Sequence, residues 1–139
     1  MPSESSDSTP CATLEQGLIG NCRISALVDE RARVSWCCFP RLDGDPVFSA
    51  LVDGDAPGSG FFDIEMLGLA SARQYYVRNT AILRTELEDE VGNRLRITDF
   101  APRFTQYERR FRPVMIIRHA EVLHGSPTIR VRLRPHSAY

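Results

Sequence analysis

The stretch WCCFPRLDGDPVF, from Trp36 to Phe48, concentrates side chains that are capable of chemistry. Two adjacent cysteines, Cys37 and Cys38, follow the only tryptophan of the chain and raise the question of metal binding or redox chemistry. Arg41 and Asp43 follow a proline, and the run Asp-Gly-Asp-Pro, which begins at Asp43, is typical of a turn. The stretch therefore allows three interpretations: a metal or redox site, a carbohydrate-facing loop, or a strand that runs into a turn.

The cysteines do not favour a metal site. The chain has four of them, Cys11, Cys22, Cys37 and Cys38, and no two are spaced as C-x-x-C. A zinc site needs four ligands that converge on one point, and the nearest histidine is His119. Neighbouring residues of a strand project to opposite faces, so we expect Cys37 and Cys38 to point apart. The sequence predicts free thiols, no metal and no cofactor.

Length, composition and charge limit the possible classes of function. The 139 residues suffice for one domain with a core, and 25% of them are charged. A net charge of −1 gives no global attraction for nucleic acid or for an anionic membrane. The first residues, MPSESSDSTP, are polar and lack the apolar segment of a secretory signal. We therefore expect a disordered polar tail over residues 1–13, a domain over residues 14–139, a cytoplasmic location, and neither a nucleic-acid nor a membrane partner.

Short apolar runs separated by turn residues dominate the rest of the chain, which predicts strands rather than helices. The candidate strands are Ile24–Val28, Val34–Phe39, Val47–Val52, Phe61–Leu67, Arg73–Asn79, Ile82–Glu88, Arg94–Phe100, Pro113–Leu123 and the run TIRVRLRP. In TIRVRLRP the alternation predicts Ile129, Val131 and Leu133 inside and the arginines outside, within reach of acidic residues on a neighbouring strand. This pattern predicts an all-β fold, an antiparallel β-sandwich.

The hairpin across the loop DEVGN is the best-defined of these elements. Folding the chain at Val91 places Glu88 opposite Arg94 and Glu86 opposite Arg96. The same register pairs the apolar positions, so both faces of the hairpin agree on it. The acidic residues here are surface alternants or turn residues, and no pair of carboxylates stands out as buried and poised for catalysis.

Several stretches, in order, resemble the start of bacterial glycoside hydrolase family 15 proteins, the glucoamylase and trehalase-like enzymes. The stretches that carry the resemblance are LIGNCRISALVDERARVSWCCFPRLDGDPVFSALVDG, GFFDIE, YVRNTAILRTELED, ITDFAPRF and FRPVMIIRHAEVLHGSPTIRVRLRP. Cys22 departs from the pattern, because the family usually has glycine there, and whether that turn keeps a positive φ stays open. The resemblance covers nearly everything after Leu14.

The resemblance implies a non-catalytic role for this chain. In the family an N-terminal antiparallel β-sandwich precedes an (α/α)6 barrel, and two glutamates of the barrel act as general acid and general base in an inverting reaction. By resemblance this chain is an incomplete, supersandwich-like portion of that sandwich, with no catalytic residue of its own. Its partner would be the catalytic barrel, and its possible ligand an α-glucoside.

The resemblance also suggests five residues that would face substrate or the domain interface. Trp36 would stack on a sugar or pack at the domain junction, while Arg41 and Asp43 would bind hydroxyl groups or anchor the loop through an ion pair. Asp99 and Arg103, in TDFAPRF, form a second candidate loop at a strand exit. The alternative for Trp36 is a core position, and the alternative for the polar residues is ordinary turn chemistry.

Two other functions remain open at this stage. The first is a free-standing carbohydrate-binding module in which Trp36, Arg41 and Asp43 act alone. The second is a ligand-free β domain that forms homo-oligomers through exposed strand edges. The basic stretch YERRFR, which contains Tyr107 and Phe111, also raises RNA or phosphate binding, together with the stripe Arg130, Arg132 and Arg134. A solvated basic face explains these arginines as well.

Overall fold

The computed structural model of the protein describes residues 15–53 and 58–136. Within these ranges it is an antiparallel β-sandwich, which confirms the predicted fold class. The strands are β1 (Gln16–Gly20), β2 (Ser25–Asp29), β3 (Val34–Cys38), β4 (Pro46–Phe48), β5 (Phe61–Met66), β6 (Leu69–Tyr76), β7 (Leu83–Asp89), β8 (Arg94–Phe100), β9 (Phe104–Gln106), β10 (Arg109–Phe111), β11 (Ile117–His124) and β12 (Ile129–Arg134). One helical turn, α1 (Ala50–Asp53), follows β4. The predicted tail lies outside the described residues.

The strands form two large sheets and one separate ribbon. The first sheet has the order β1-β2-β3-β5-β12, with β4 also paired to β3. The second sheet has the order β11-β8-β7-β6, and β9 pairs with β10 alone. Within the described residues every strand pair is antiparallel. The ribbon therefore projects from a two-layer sandwich.

The β7–β8 hairpin has the register that the sequence predicts. Glu88 lies opposite Arg94 and Glu86 opposite Arg96. Leu87 and Leu95, also opposite each other, are each 1% exposed and pack with Ile64 and Met66 of the first sheet. The alternation of apolar and charged side chains thus fixes which face of the hairpin enters the core.

Apolar side chains from both sheets fill the space between the layers in two adjoining clusters. The first cluster contains Ile19, Ile24, Ala26, Val28, Val34, Cys37, Phe48, Leu83 and Ala101. The second contains Ala32, Ile64, Met66, Leu87, Leu95 and Ile97. Burying one such branched side chain stabilises the fold by about 1.5–3 kcal/mol. The layers approach closely where β1 crosses β7, since a Cβ on Gly17 would overlap the side chain of Leu83.

The two edges of the sandwich are built differently. At one edge the Tyr76 hydroxyl of β6 accepts a hydrogen bond from the Leu18 amide (2.7 Å) and donates one to the Leu18 carbonyl (2.9 Å). This joins the edge strands of the two sheets. At the other edge β12 and β11 expose apolar side chains, among them Val131 (58% exposed) and Val122 (56% exposed). The sandwich is thus joined at the first edge and open at the second.

Two predictions about local structure were wrong. Val47–Val52 is not one strand, because β4 ends at Phe48 and α1 begins at Ala50. Ile129, Val131 and Leu133 do share a face with the core residue Ile64 through the β12–β5 register. They are nevertheless exposed, because β12 lies at the sheet edge where the second layer does not cover it.

The turn between β1 and β2 keeps a left-handed residue. Cys22 has a φ of 70° and is exposed. This resolves the question that the sequence left open at this position.

Candidate functional site

β3 separates the neighbouring side chains of the Trp36–Phe48 stretch onto two faces, as alternation requires. Cys37 is 1% exposed and belongs to the first core cluster, whereas Trp36 and Cys38 are only partly buried. Burial raises the pKa of the Cys37 thiol to about 11, and the neighbouring Cys38 adds to the rise. Cys37 therefore stays protonated at neutral pH and acts as a small core residue.

Arg41 and Asp43 are brought together in the turn after β3. The guanidinium donates from Nε to Oδ1 (2.9 Å) and from Nη2 to Oδ2 (2.8 Å), and the Gly44 amide closes the turn on the Arg41 carbonyl (3.0 Å). Both side chains are more than two-thirds exposed. An ion pair this exposed contributes roughly 0–1 kcal/mol, so the contact shapes the loop more than it stabilises the fold.

Asp99 does not lie on a loop. It lies within β8, is 0% exposed, and forms an ion pair with Arg118 of β11 through Oδ1 (2.7 Å) and Oδ2 (3.2 Å). Burial raises the pKa of Asp99, while the hydrogen bond and charge of Arg118 oppose the rise. Arg103, by contrast, is exposed on the chain that leads into β9. The structure therefore separates these two residues, which sequence analysis had grouped in one loop.

Arg118 links the two layers. Besides Asp99, it donates from Nη1 to the Phe62 carbonyl of β5 (3.0 Å) and from Nη2 to the Ala32 carbonyl in the β2–β3 turn. Its guanidinium also lies 4.7 Å from the centre of the Phe62 ring. The sequence carries no local signal for this arrangement, since nothing near Arg118 in the run IIRHAEV marks Asp99, Phe62 or Ala32 as its partners.

A serine–histidine–aspartate group lies beside α1, and sequence analysis missed it. His136 Nε2 and Asp53 Oδ2 each lie 2.7 Å from Ser49 Oγ, and His136 Nδ1 lies 3.2 Å from Ser59 Oγ. Ser49 and His136 are 87 positions apart, so no spacing rule could have joined them. The group ties the end of the described chain to the segment around α1.

The hydrogen-bond directions in this group do not suit nucleophilic catalysis. Ser49 has one hydroxyl hydrogen, and the Asp53 carboxylate can only accept, so Ser49 donates to Asp53. The His136 tautomer that fits then donates from Nε2 to Ser49 and accepts at Nδ1 from Ser59. A general base must instead accept the serine proton. Ser49 is also 0% exposed, so the group is structural in this arrangement.

Glu86 is the most heavily hydrogen-bonded carboxylate on the outer face of the second sheet. It accepts from Arg73 (2.7 Å), Tyr75 (2.8 Å) and Arg96 (2.9 Å). Burial opposes its ionisation, but the hydrogen bonds from Arg96, Tyr75 and Arg73 outweigh burial and lower the pKa to about 2. A carboxylate that stays ionised above that pH cannot serve as a general acid near neutrality. It lines a shallow groove of about 480 Å³ together with Arg94.

Two arginines of β12, Arg130 and Arg132, meet acidic residues of β5, as the sequence suggested. Arg132 binds both oxygens of the buried Asp63 (2.7 and 3.1 Å), and Arg33 binds the same carboxylate (3.0 Å). Both guanidiniums lie about 5 Å from the centre of the Phe61 ring, at 4.9 and 5.2 Å. Arg130 and Arg132 therefore belong to a salt-bridge cluster rather than to a free basic surface.

Residues 15–53 and 58–136 contain neither a cluster of candidate metal ligands nor a membrane-spanning helix. No group of three or more His, Cys, Asp and Glu side chains in these ranges is placed to hold a metal ion. No helix there is long and apolar enough to cross a membrane.

The chain is similar to one protein family and to several known proteins. The family model described as "Trehalase-like, N-terminal" matches residues 7–139. A trehalase of Thermoplasma volcanium is 34% identical over 88 residues, which is 62% of this chain and 14% of the relative. A trehalase of Mycolicibacterium smegmatis is 29% identical over 79 residues (56% of this chain, 11% of the relative), and trehalase 2 of Sulfolobus acidocaldarius is 33% identical over 79 residues (57% and 13%). The matched segments thus span at most about a seventh of each of these relatives. No solved structure matches the chain significantly.

Proposed function

The chain belongs to the trehalase-like N-terminal family, and from this premise we propose that it is a non-catalytic β-sandwich portion of a glycoside hydrolase family 15 protein. In this proposal the sandwich supports an (α/α)6 barrel that hydrolyses an α-glucoside. The two glutamates of such an inverting reaction, placed on either side of the scissile bond, belong to the barrel. The relatives named trehalases supply the substrate class, trehalose or a related glucoside.

The observation that carries the proposal is the state of the buried acidic residues. Among the described residues, Asp63, Glu86 and Asp99 are each ion-paired with arginine. Asp89 is held by the side chain and backbone of Asn93. A catalytic pair needs one carboxyl group that exchanges its proton and one that is free to activate water. These carboxylates are instead committed to holding strands and turns, which supports a scaffolding role.

A chimera tests the proposal. The part of this chain that matches the Thermoplasma volcanium trehalase would replace the corresponding segment of that enzyme, and hydrolysis of trehalose and maltose would be measured. We expect the chimera to hydrolyse trehalose and the isolated chain to hydrolyse neither sugar. A folded but inactive chimera, or an isolated chain with activity, would overturn the proposal.

Self-association is the second candidate function, and the open edge of the sandwich favours it. Val122 of β11 and the β12 side chains Ile129, Val131 and Leu133 are at least 40% exposed. Exposed apolar side chains on edge strands favour pairing with another copy. Sedimentation velocity across a concentration series decides this, because a monomer at all concentrations excludes it.

Calorimetry distinguishes a carbohydrate-binding module from the scaffold and from the self-associating domain. Arg41 and Asp43 already satisfy each other, so a sugar would have to break their ion pair in order to bind there. Heat on titration with glucose, maltose or trehalose would favour the module over the scaffold.

A further inference from the structure

The ribbon formed by β9 and β10 stands outside both large sheets. Its strands pair only with each other among the described residues, and all six strand residues are exposed. Its tip is a two-residue turn in which Tyr107 and Glu108 have φ values of 49° and 60°. Glycine, asparagine or aspartate normally occupies such a turn, because other side chains are strained there.

The root of the ribbon is firmly held. The Asn21 side-chain amide donates to the Pro102 carbonyl (2.9 Å) on one leg and to the Pro113 carbonyl (2.7 Å) on the other. Its oxygen accepts from the backbone amides of Arg23 (3.0 Å) and Ile24 (3.2 Å). Asn21 is 2% exposed, so a fully satisfied buried amide fixes both legs to the β1–β2 turn.

The ribbon presents aromatic rings together with unpaired positive charge. Phe104 and Phe111 stack with centroids 5.4 Å apart and an interplanar angle of 18°, and Tyr107 is 86% exposed. Four arginines and one glutamate give residues 103–112 a net charge of +3, which leaves −4 on the rest of the chain. Within the described part of the chain none of these arginines forms an ion pair. The four are Arg103, Arg109, Arg110 and Arg112.

The arginines of the ribbon differ from several arginines of the two large sheets. There, strand arginines such as Arg73, Arg96 and Arg132 neutralise carboxylates of neighbouring strands. Arginine and aromatic residues are enriched at protein interfaces, where they supply most of the binding energy. A rigidly rooted arm with these residues, whose arginines form no ion pair with residues 15–53 or 58–136, has the composition of a docking element.

We propose that the β9–β10 ribbon is a docking arm that inserts its stacked phenylalanines and its arginines into an acidic recess of a folded protein. This inference rests on the proposed function, which supplies the partner: the catalytic portion that the sandwich supports. Charge complementarity favours a protein over nucleic acid, because a long polyanion would also run along a body of net charge −4. A compact acidic recess reached by the arm alone avoids that repulsion.

Binding of the isolated chain to the part of the Thermoplasma volcanium trehalase outside the matched segment tests the arm directly. We expect the wild-type chain to bind, and binding to weaken as salt is raised. Arg109→Glu/Arg110→Glu and Phe104→Ser/Phe111→Ser should each weaken binding about tenfold or more. The matched control, Arg31→Glu/Arg78→Glu, makes the same charge change at two other exposed positions and should alter binding by less than about twofold.

The outcomes separate the arm from the proposed function. If the wild-type chain and the arm variants bind equally, or if the wild-type chain does not bind, the docking role of the arm is overturned. The scaffolding role is still judged by hydrolysis in the chimera. A single-stranded oligonucleotide replaces the protein in a second binding experiment. If the chain binds it and Arg109→Glu/Arg110→Glu abolishes that binding, the arm is assigned to nucleic acid and the proposal is overturned. Unchanged thermal unfolding of each variant ensures that a loss of binding reports on the surface.

Discussion

Asp99 and Arg118 form a two-point ion pair inside the sandwich, with side chains 0% and 3% exposed. The same guanidinium binds carbonyls of the opposite layer. Replacing one partner of a buried ion pair by an uncharged residue is costly, because the remaining charge stays buried without a partner.

Arg118→Met should therefore lower the free energy of unfolding by about 3–5 kcal/mol. The loss has two causes: Asp99 keeps a buried charge, and two backbone carbonyls lose their donor. Urea unfolding measures the change. Arg41→Met, which breaks the exposed ion pair with Asp43, is the matched control and should cost less than about 1 kcal/mol. Equal costs for the two variants would contradict a structural role for Arg118.

Glu86 should make stability depend on pH in the acid range. Its pKa is about 2 in the folded protein and 4.5 in an unperturbed chain, so the unfolded state takes up a proton first as the pH falls. The stabilisation is complete above about pH 4.5 and is lost as the pH falls towards 2. We expect it to be about 2 kcal/mol, allowing for the solvent screening of the exposed Arg73.

Comparing wild type with Glu86→Gln isolates this effect. Between pH 5 and pH 2 the wild-type free energy of unfolding should fall by about 2 kcal/mol more than that of the variant. Asp89, whose pKa is also lowered, contributes to both proteins and cancels in the comparison. Parallel pH profiles would show that Glu86 is not stabilised by its three donors.

The parts of the fold that were predicted correctly depend on residues close in sequence. The β7–β8 register follows from Glu86, Glu88, Arg94 and Arg96, which one short loop brings together. The exposure of Val131 could not be predicted, since its pattern fixes a face of β12 and only the position of another sheet decides whether that face is covered.

The polar contacts of the candidate sites also divide into local ones, which the sequence indicated, and long-range ones, which it did not. The Arg41–Asp43 contact lies within one turn, and sequence analysis offered it as an alternative. Partners that are distant in sequence were missed. Asp99 meets Arg118 across two strands, and Ser49 meets His136 from 87 positions away, with no pattern that marks either pair. Such contacts depend on which strands become neighbours in a sheet and on which chain segments meet beside it, and no local spacing records either.

Position 60 should tolerate only glycine, because the His136 ring leaves no room for a side chain there. Gly60 has a φ of 79°, and a Cβ there would overlap His136 Nε2 and approach Ser49 Oγ to 2.8 Å. Gly60→Ala should cost about 2–4 kcal/mol from backbone strain and steric overlap. In a His136→Ala background the same change should cost only about 1–2 kcal/mol, which is the backbone share. A double-mutant cycle by urea unfolding measures the difference, and an additive cycle would show that the ring is not the obstacle.

Asn21→Asp should loosen the root of the ribbon. The substitution replaces the amide that donates to Pro102 and Pro113 with an oxygen, which leaves both carbonyls facing an acceptor. We expect a loss of about 2–3 kcal/mol in the free energy of unfolding. Trypsin should also cleave faster at Arg109 and Arg110.

Asn79→Asp makes the same chemical change in the exposed β6–β7 turn and serves as the control. It should leave both stability and cleavage of the ribbon near the wild-type values. If Asn21→Asp behaves like this control, the ribbon is held by contacts other than the Asn21 amide.

Cys22→Gly should stabilise the protein. Cys22 is exposed and adopts a φ of 70°, a conformation in which a side chain is strained and glycine is not. Relief of that strain outweighs the greater flexibility of glycine in the unfolded chain, so we expect a gain of about 0.5–1 kcal/mol. Cys22→Ala removes the thiol but keeps the Cβ and should give no gain, which separates backbone strain from any effect of the sulfur. Equal stability of the two variants in urea unfolding would mean that the turn, which Asn21 holds through the Arg23 and Ile24 amides, tolerates a side chain without strain.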